Sequence, residues 1–204
     1  MPTNTRQRLI DAARHRFYRD GFRNVGIDAI IDEVGISKTA FYKHFQSKDD
    51  LMIAVLDGVG DFLNQQFRQM VKDRGGSSAV GQLRALLDVV RSVMEDEAFH
   101  GCIFVNAVME FPVLHDPVHQ SAIRHKRALE EFVYELAERG NAADPQFLAQ
   151  ELCMVIEGTY VSRSITGDPA AITIARRIFD QIIDRHFAND TVGSASADAS
   201  GPNV

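Results

Sequence analysis

The sequence predicts an all-α fold, and three observations carry that expectation. Apolar residues recur at steps of three and four, Asp-Pro stands at three places where a helix would open, and no stretch alternates with the two-residue period of a half-buried strand. Glycine, proline and serine punctuation divides the chain into about nine helices. The first three predict an N-terminal domain over 1–46, and the others a helical domain over 47–187. Residues 188–204, rich in Ala, Ser, Gly and Asp, read as a disordered tail.

Helix one is expected from Thr5 to about Arg19, with Leu9, Ile10, Ala13 and Phe17 on one face and arginines around the other. Ile27, Ile30, Ile31 and Val34 form the apolar stripe of a short second helix, opened weakly by Gly26 and carrying Asp28 in its first turn. Gly35 supplies the positive φ of a sharp turn, Ile36 turns back toward the core, and Ser37 is a natural N-cap. A third helix from Lys38 to about His44 then buries Ala40 and Phe41, with Phe45 beyond it. Lys38, Thr39, Tyr42, Lys43 and His44 point outward, as donors suited to phosphates and base edges. The segment reads as a DNA-binding helix-turn-helix.

Ser47, with Asp50 three residues on, opens a long connector to about Lys72, striped by Leu51, Val55, Val59, Phe62, Leu63, Phe67 and Met70. After Arg74-Gly75-Gly76-Ser77-Ser78 a helix is expected to about Glu95, then one from Gly101 to about Phe111, closed by Pro112. Asp116-Pro117, Asp144-Pro145 and Asp168-Pro169 open the last three helices, which end near Gly140, Thr166 and Phe187.

Composition narrows the function classes. The chain of 204 residues, 45% hydrophobic and 25% charged, is long enough for a sizeable core and too apolar to be disordered. No run approaches the ~20 apolar residues of a membrane span, and the polar N-terminus lacks a signal-peptide core, so a cytoplasmic protein is expected. Two cysteines do not make a disulfide scaffold. No nucleophile elbow, phosphate loop, dinucleotide glycine pattern or zinc-protease motif occurs, so neither an enzyme nor a cofactor is expected. The net charge is −6, yet residues 1–50 carry nine Lys or Arg against seven Asp or Glu, so the acidic excess lies outside the candidate DNA-binding part.

The order of a long first helix, Gly21-Phe22, a short helix, Val34-Gly35-Ile36-Ser37, Phe41-Tyr42-x-x-Phe45 and Ser47-Lys48-x-x-Leu51 resembles the TetR/AcrR family of transcriptional regulators. The specific match covers about the first quarter of the chain. The resemblance implies a homodimeric repressor that binds a palindromic operator in double-stranded DNA and leaves it when a small-molecule inducer binds. It assigns Ser37, Lys38, Thr39, Tyr42, Lys43, His44 and Lys48 to the DNA face, with Arg6 as a further phosphate contact. It also implies that the last two helices join a symmetry mate in a four-helix bundle, for which Leu148, Leu152, Val155, Ile156, Thr159, Ile172, Ala175, Phe179 and Ile182 supply apolar surface. Such a dimer sets two recognition helices about 34 to 36 Å apart. The middle helices would enclose the inducer, with Phe62, Phe104, Asn106, Val108, Met109, Glu110, Phe132, Met154 and Glu157 as pocket residues, although the apolar ones suit a plain core equally.

Cys102 stands where a helix would open, so amide dipoles there would lower its pKa and make an electrophile- or redox-sensing repressor the alternative reading. His115, His119 and His125, near Asp116 and Glu110, have metal-ligand chemistry, but Pro117 breaks the shared face of the first two, and no metal is assigned. A helical interaction module, or a small-molecule-binding protein without DNA binding, is the other alternative.

Overall fold

The computed structural model describes residues 4–96 and 98–188, and its regular elements are all helical. In order they are α1 (Thr5–Asp20), α2 (Ile27–Val34), α3 (Lys38–Tyr42), α4 (Lys48–Phe62), α5 (Arg68–Gly75), α6 (Ala79–Met94), α7 (Ile103–Glu110), α8 (Pro117–Arg139), α9 (Pro145–Thr166) and α10 (Ala170–Phe187). A π-helical turn, Leu63–Phe67, joins α4 and α5 into one rod, so among the described residues the ten segments form nine helices, as expected. Apart from Ala188, the predicted tail lies outside the described residues.

The caps explain why the helices start where they do. The Ser37 hydroxyl accepts from the Ala40 amide at 3.2 Å, and that of Ser47 from the Asp50 amide at 3.0 Å. Asp50 reciprocates by accepting from the Gln46 amide at 3.0 Å. Each such cap contributes about 1 kcal/mol. Asp116 and Asp144 cap α8 and α9, with Pro at the first helical position. At α10 the pattern slips by one: Pro169 occupies the cap position, while Asp168 still accepts from the Ala170 amide at 2.8 Å. Gly35 closes α2 at φ 74°, in the left-handed region that a side chain makes costly.

Two cores result. In the head, Leu9, Ala13 and Phe17 of α1 meet Ile30, Ile31 and Val34 of α2, Phe41 and Phe45 around α3, and Leu51, Val55 and Leu56 of α4. Ile103 and Ala107 of α7 and Val118 of α8 complete this cluster. The body's own core packs Leu83, Leu86 and Val90 of α6 against Val133 and Leu136 of α8, Leu148, Leu152 and Ile156 of α9, and Phe179 and Ile183 of α10.

The connector departs from its predicted stripe at one residue. Where the π turn begins, Leu63 is half-buried and Phe62 is left 54% exposed. At Gly60 the connector runs so close to α8 that a Cβ would overlap the His125 ring. That approach brings Asp57 Oδ1 within 3.0 Å of His125 Nε2 and 2.6 Å of the Ser121 hydroxyl, which donates to it.

Candidate functional site

The helix-turn-helix presents its polar residues on one side because its aromatic residues take the other. Phe41 is fully buried and Phe45 nearly so, with ring centroids 5.8 Å apart. Ser37, Lys38, Thr39, Tyr42, Lys43 and His44 are all exposed. α3 ends at Tyr42, so Lys43 and His44 stand in the turn beyond it, where the chain is more open than the predicted helix.

Lys38 Nζ is 3.0 Å from Asp28 Oδ1, an ion pair linking the first turns of α2 and α3. Donating this hydrogen bond to the carboxylate holds the ammonium pKa above its ordinary value. Arg6 lies over the Phe45 ring, 5.0 Å from its centroid, at the start of α1. Lys48 is half-buried, and its Nζ donates to the Arg23 carbonyl at 3.2 Å. Burial lowers its pKa. These contacts bring the eight predicted residues to the head's surface, with Lys48 anchored toward the α1–α2 turn.

That turn is also where head and body join. The Glu110 carboxylate, at the end of α7, accepts from the Phe22 amide at 2.9 Å and the Arg23 amide at 2.7 Å. Arg23 Nε donates back to the Glu110 carbonyl at 2.8 Å, and its guanidinium lies 4.9 Å from the Phe111 ring centroid. On the other side of the joint the Tyr18 hydroxyl donates to the Gly101 carbonyl at 2.8 Å and accepts from the His100 amide at 2.9 Å. Burial raises the Tyr18 pKa, keeping the phenol a donor at neutral pH. Residue type and spacing gave no sign of this joint, because its partners are more than 80 positions apart.

A cleft of about 770 Å³ opens beside it. Its walls are Phe17 to Gly21 of the head, Glu95, Asp96 and Phe99 to Gly101 before α7, Asn106 and Glu110 on α7, and Arg163, Ser164 and Gly167 at the end of α9. Asn106 Nδ2 donates to the His100 carbonyl at 3.0 Å, and Phe99 stacks on Tyr160.

The predicted pocket residues do not converge. Only Asn106 and Glu110 of the nine line this cleft. Phe132 belongs to the body core, packed against Phe67, with Arg68 over its ring at 4.3 Å. Phe104 stacks on His125 with centroids 5.2 Å apart, Val108 is half-buried, and Glu157 pairs with Lys126. Met109 and Met154 are 76% and 73% exposed, and Phe62 faces outward as described. The cause is that these residues are spread over α4, α7, α8 and α9, and each side chain is either packed in a core, paired elsewhere or left in solvent.

The predicted interface residues need a correction too. Leu148, Leu152, Ile156, Thr159, Ile172, Ala175 and Phe179 are buried within the protomer, so they have almost no surface to offer a second copy. Val155 and Ile182 are half-buried at the edge of the core. The outer faces carry a second stripe instead: Phe147, Met154, Val161 and Ile165 on α9, and Ile174 and Ile178 on α10, all exposed. The signal was the surplus of apolar residues on these two helices beyond what one core stripe uses.

Cys102 takes the N-cap position of α7, yet its thiol is not activated. Burial pushes its pKa up, outweighing the amides of Phe104 and Val105 that favour the thiolate. Burial likewise pushes the Cys153 thiol up to about 12. The lowered pKa expected of Cys102 is therefore reversed, since desolvation exceeds the helix-end effect. His119 Nδ1 lies 2.6 Å from the Phe111 carbonyl, and His125 turns toward Asp57. Among the described residues no three His, Cys, Asp or Glu side chains gather as a metal site, and no helix is long and apolar enough to cross a membrane.

Comparison with known proteins agrees with both halves of the chain. Residues 9–55 match the family described as bacterial regulatory proteins, tetR family, and residues 79–179 match the tetracyclin repressor-like C-terminal domain. The HTH-type transcriptional regulator YjdC of Escherichia coli (strain K12) is 22% identical over 175 residues, covering 86% of this chain and 90% of that protein. Among solved structures, SCO4454, a TetR-family transcriptional regulator from Streptomyces coelicolor, superposes with a TM-score of 0.78 at 29% identity, covering 89% of this chain and 95% of that one. Sav143 of Streptomyces avermitilis, described as a putative tetr-transcriptional regulator, gives a TM-score of 0.78 at 28% identity, covering 90% and 98%.

Proposed function

The chain belongs to the TetR family and is a DNA-binding transcriptional regulator, and from that premise we propose a homodimeric repressor that a small molecule releases from a palindromic operator. In this reading Lys38 and Thr39 at the start of α3 meet base edges, while Tyr42, Lys43, His44, Lys48 and Arg6 hold phosphates. The outer stripe of α9 and α10 supports dimerisation. Met154, Ile165 and Ile174 are each more than 60% exposed, and a second copy would remove them from water. The family forms homodimers on operator DNA, and such a protein acts where the chromosome lies, in the cytoplasm.

The observation that carries the release mechanism is the position of the 770 Å³ cleft. One wall is the end of α1, which shares its core with α2 and α3, and the other walls belong to the body. An occupant touching both would bind one head orientation more tightly than another, and that difference in affinity is what shifts the population away from DNA. Arg163, half-buried on the body side and without an ion pair among the described residues, is the body residue whose loss should be felt most by an occupant of this cleft. The test uses fractionated cell extract added to the operator complex. A fraction that releases the wild-type chain should leave Arg163→Ala bound, with operator affinity in the absence of extract unchanged. Equal release of both would place the effector elsewhere.

A further inference from the structure

Asp28 is out of place by the ordinary logic of a phosphate-facing surface, where a carboxylate repels. Its ion pair with Lys38 does not make up for this in stability, because the side chains are 73% and 56% exposed and surface pairs of that kind contribute little. What the pair possesses is polarity and spacing. An acceptor on the first turn of α2 and a donor on the first turn of α3 are held 3.0 Å apart, side by side on the exposed face.

A G·C base pair carries the complementary arrangement in the major groove. Guanine offers the acceptors N7 and O6, cytosine offers the N4 amino donor, and O6 and N4 are hydrogen-bonded to each other at about 2.9 Å. A donor and an acceptor with nearly the same separation therefore fit across them without changing their own pairing.

We infer that Asp28 and Lys38 together read one G·C pair in each half-site, the Lys38 ammonium on guanine O6 and N7 and the Asp28 carboxylate on the cytosine amino group. The inference rests on α3 being the reading helix, as proposed above. Its content lies in what the pair rejects. An inverted C·G pair sets amino against ammonium and carbonyl against carboxylate, and A·T does the same with adenine N6 and thymine O4. T·A keeps the order of acceptor and donor but puts the thymine methyl where guanine N7 stood, so it ranks second. Asp28 thus acts mainly by exclusion, and it makes the recognition directional along the groove.

The test begins with operators selected from a random duplex pool by the wild-type chain, Asp28→Ala and Lys38→Ala. Affinities are then measured for the four base pairs at the position that changes. Both substitutions are at exposed sites and leave the head core intact. Both should relax the same position, each lowering the preference for G·C over inverted C·G about tenfold. The double variant should lose little more than either single one. The inference is overturned if Asp28→Ala tightens binding to every duplex alike, which would make Asp28 a phosphate repeller only. It is equally overturned if the two variants relax different positions, or if neither changes preference. A wild-type chain that enriches no sequence would remove the reading helix itself, and this outcome is separable because the wild type is measured first.

Discussion

The head and the body complete their cores in different ways. The head's core includes Ile103, Ala107 and Val118, which belong to α7 and α8, whereas among the described residues the body's core draws on no buried residue before Val71. The borrowing is polar as well as apolar, since Glu110 accepts from two amides of the α1–α2 turn. The body's own core closes without α1 to α3, while α7 and the start of α8 are packed against the head. In the proposed mechanism, any coupling between the body and the DNA face passes through this short joint, equally in both directions.

Head and body should respond most differently to changes at the outer face of the body. Changing Met154 and Ile174 together to Asp leaves both cores filled, because both side chains are exposed. Light scattering should then report a monomer, and operator affinity should fall about a hundredfold or more as the two half-sites lose their tether. A persistent dimer would assign the interface to another surface. A smaller effect is expected at the joint. Glu110→Gln removes the charge that strengthens two hydrogen bonds, and amides of the α1–α2 turn should exchange about tenfold faster while those of α9 stay protected. Equal acceleration in both regions would mean that head and body open as one unit. The smallest effect belongs to the reading face. Lys43→Ala should weaken binding a few-fold for all sequences and reduce the slope of log affinity against log salt by about one. A change in base preference instead would move Lys43 from phosphate to base edge.

The same division governs what could be read from the sequence. The helix-turn-helix was legible because its signals are local: Ser37 caps a helix three residues away, Gly35 takes its positive φ within one turn, and Phe41 and Phe45 share a face. The body's helices were legible from Asp116, Asp144 and Asp168 for the same reason. Which stripe of α9 faces inward was not. Leu148, Leu152 and Ile156 are interleaved with Met154, Val161 and Ile165, and a helix apolar on two sides has no inner side until its neighbours are placed. The cleft was hidden because Phe17 to Gly21, Phe99 to Gly101, Asn106 and Arg163 meet only in the folded chain. At Cys102 the helix-end position was read correctly, but the sign of the pKa shift was set by burial, which spacing does not reveal.

The central claim is that two copies of this head are held by the body to read a symmetric site. Selection of bound sequences from a random duplex pool tests it most directly. The expected product is an inverted repeat whose half-site centres lie about 34 to 36 Å apart, one turn of the double helix, or a multiple of that spacing. Enrichment of no sequence, or of a single unrepeated half-site, would contradict it.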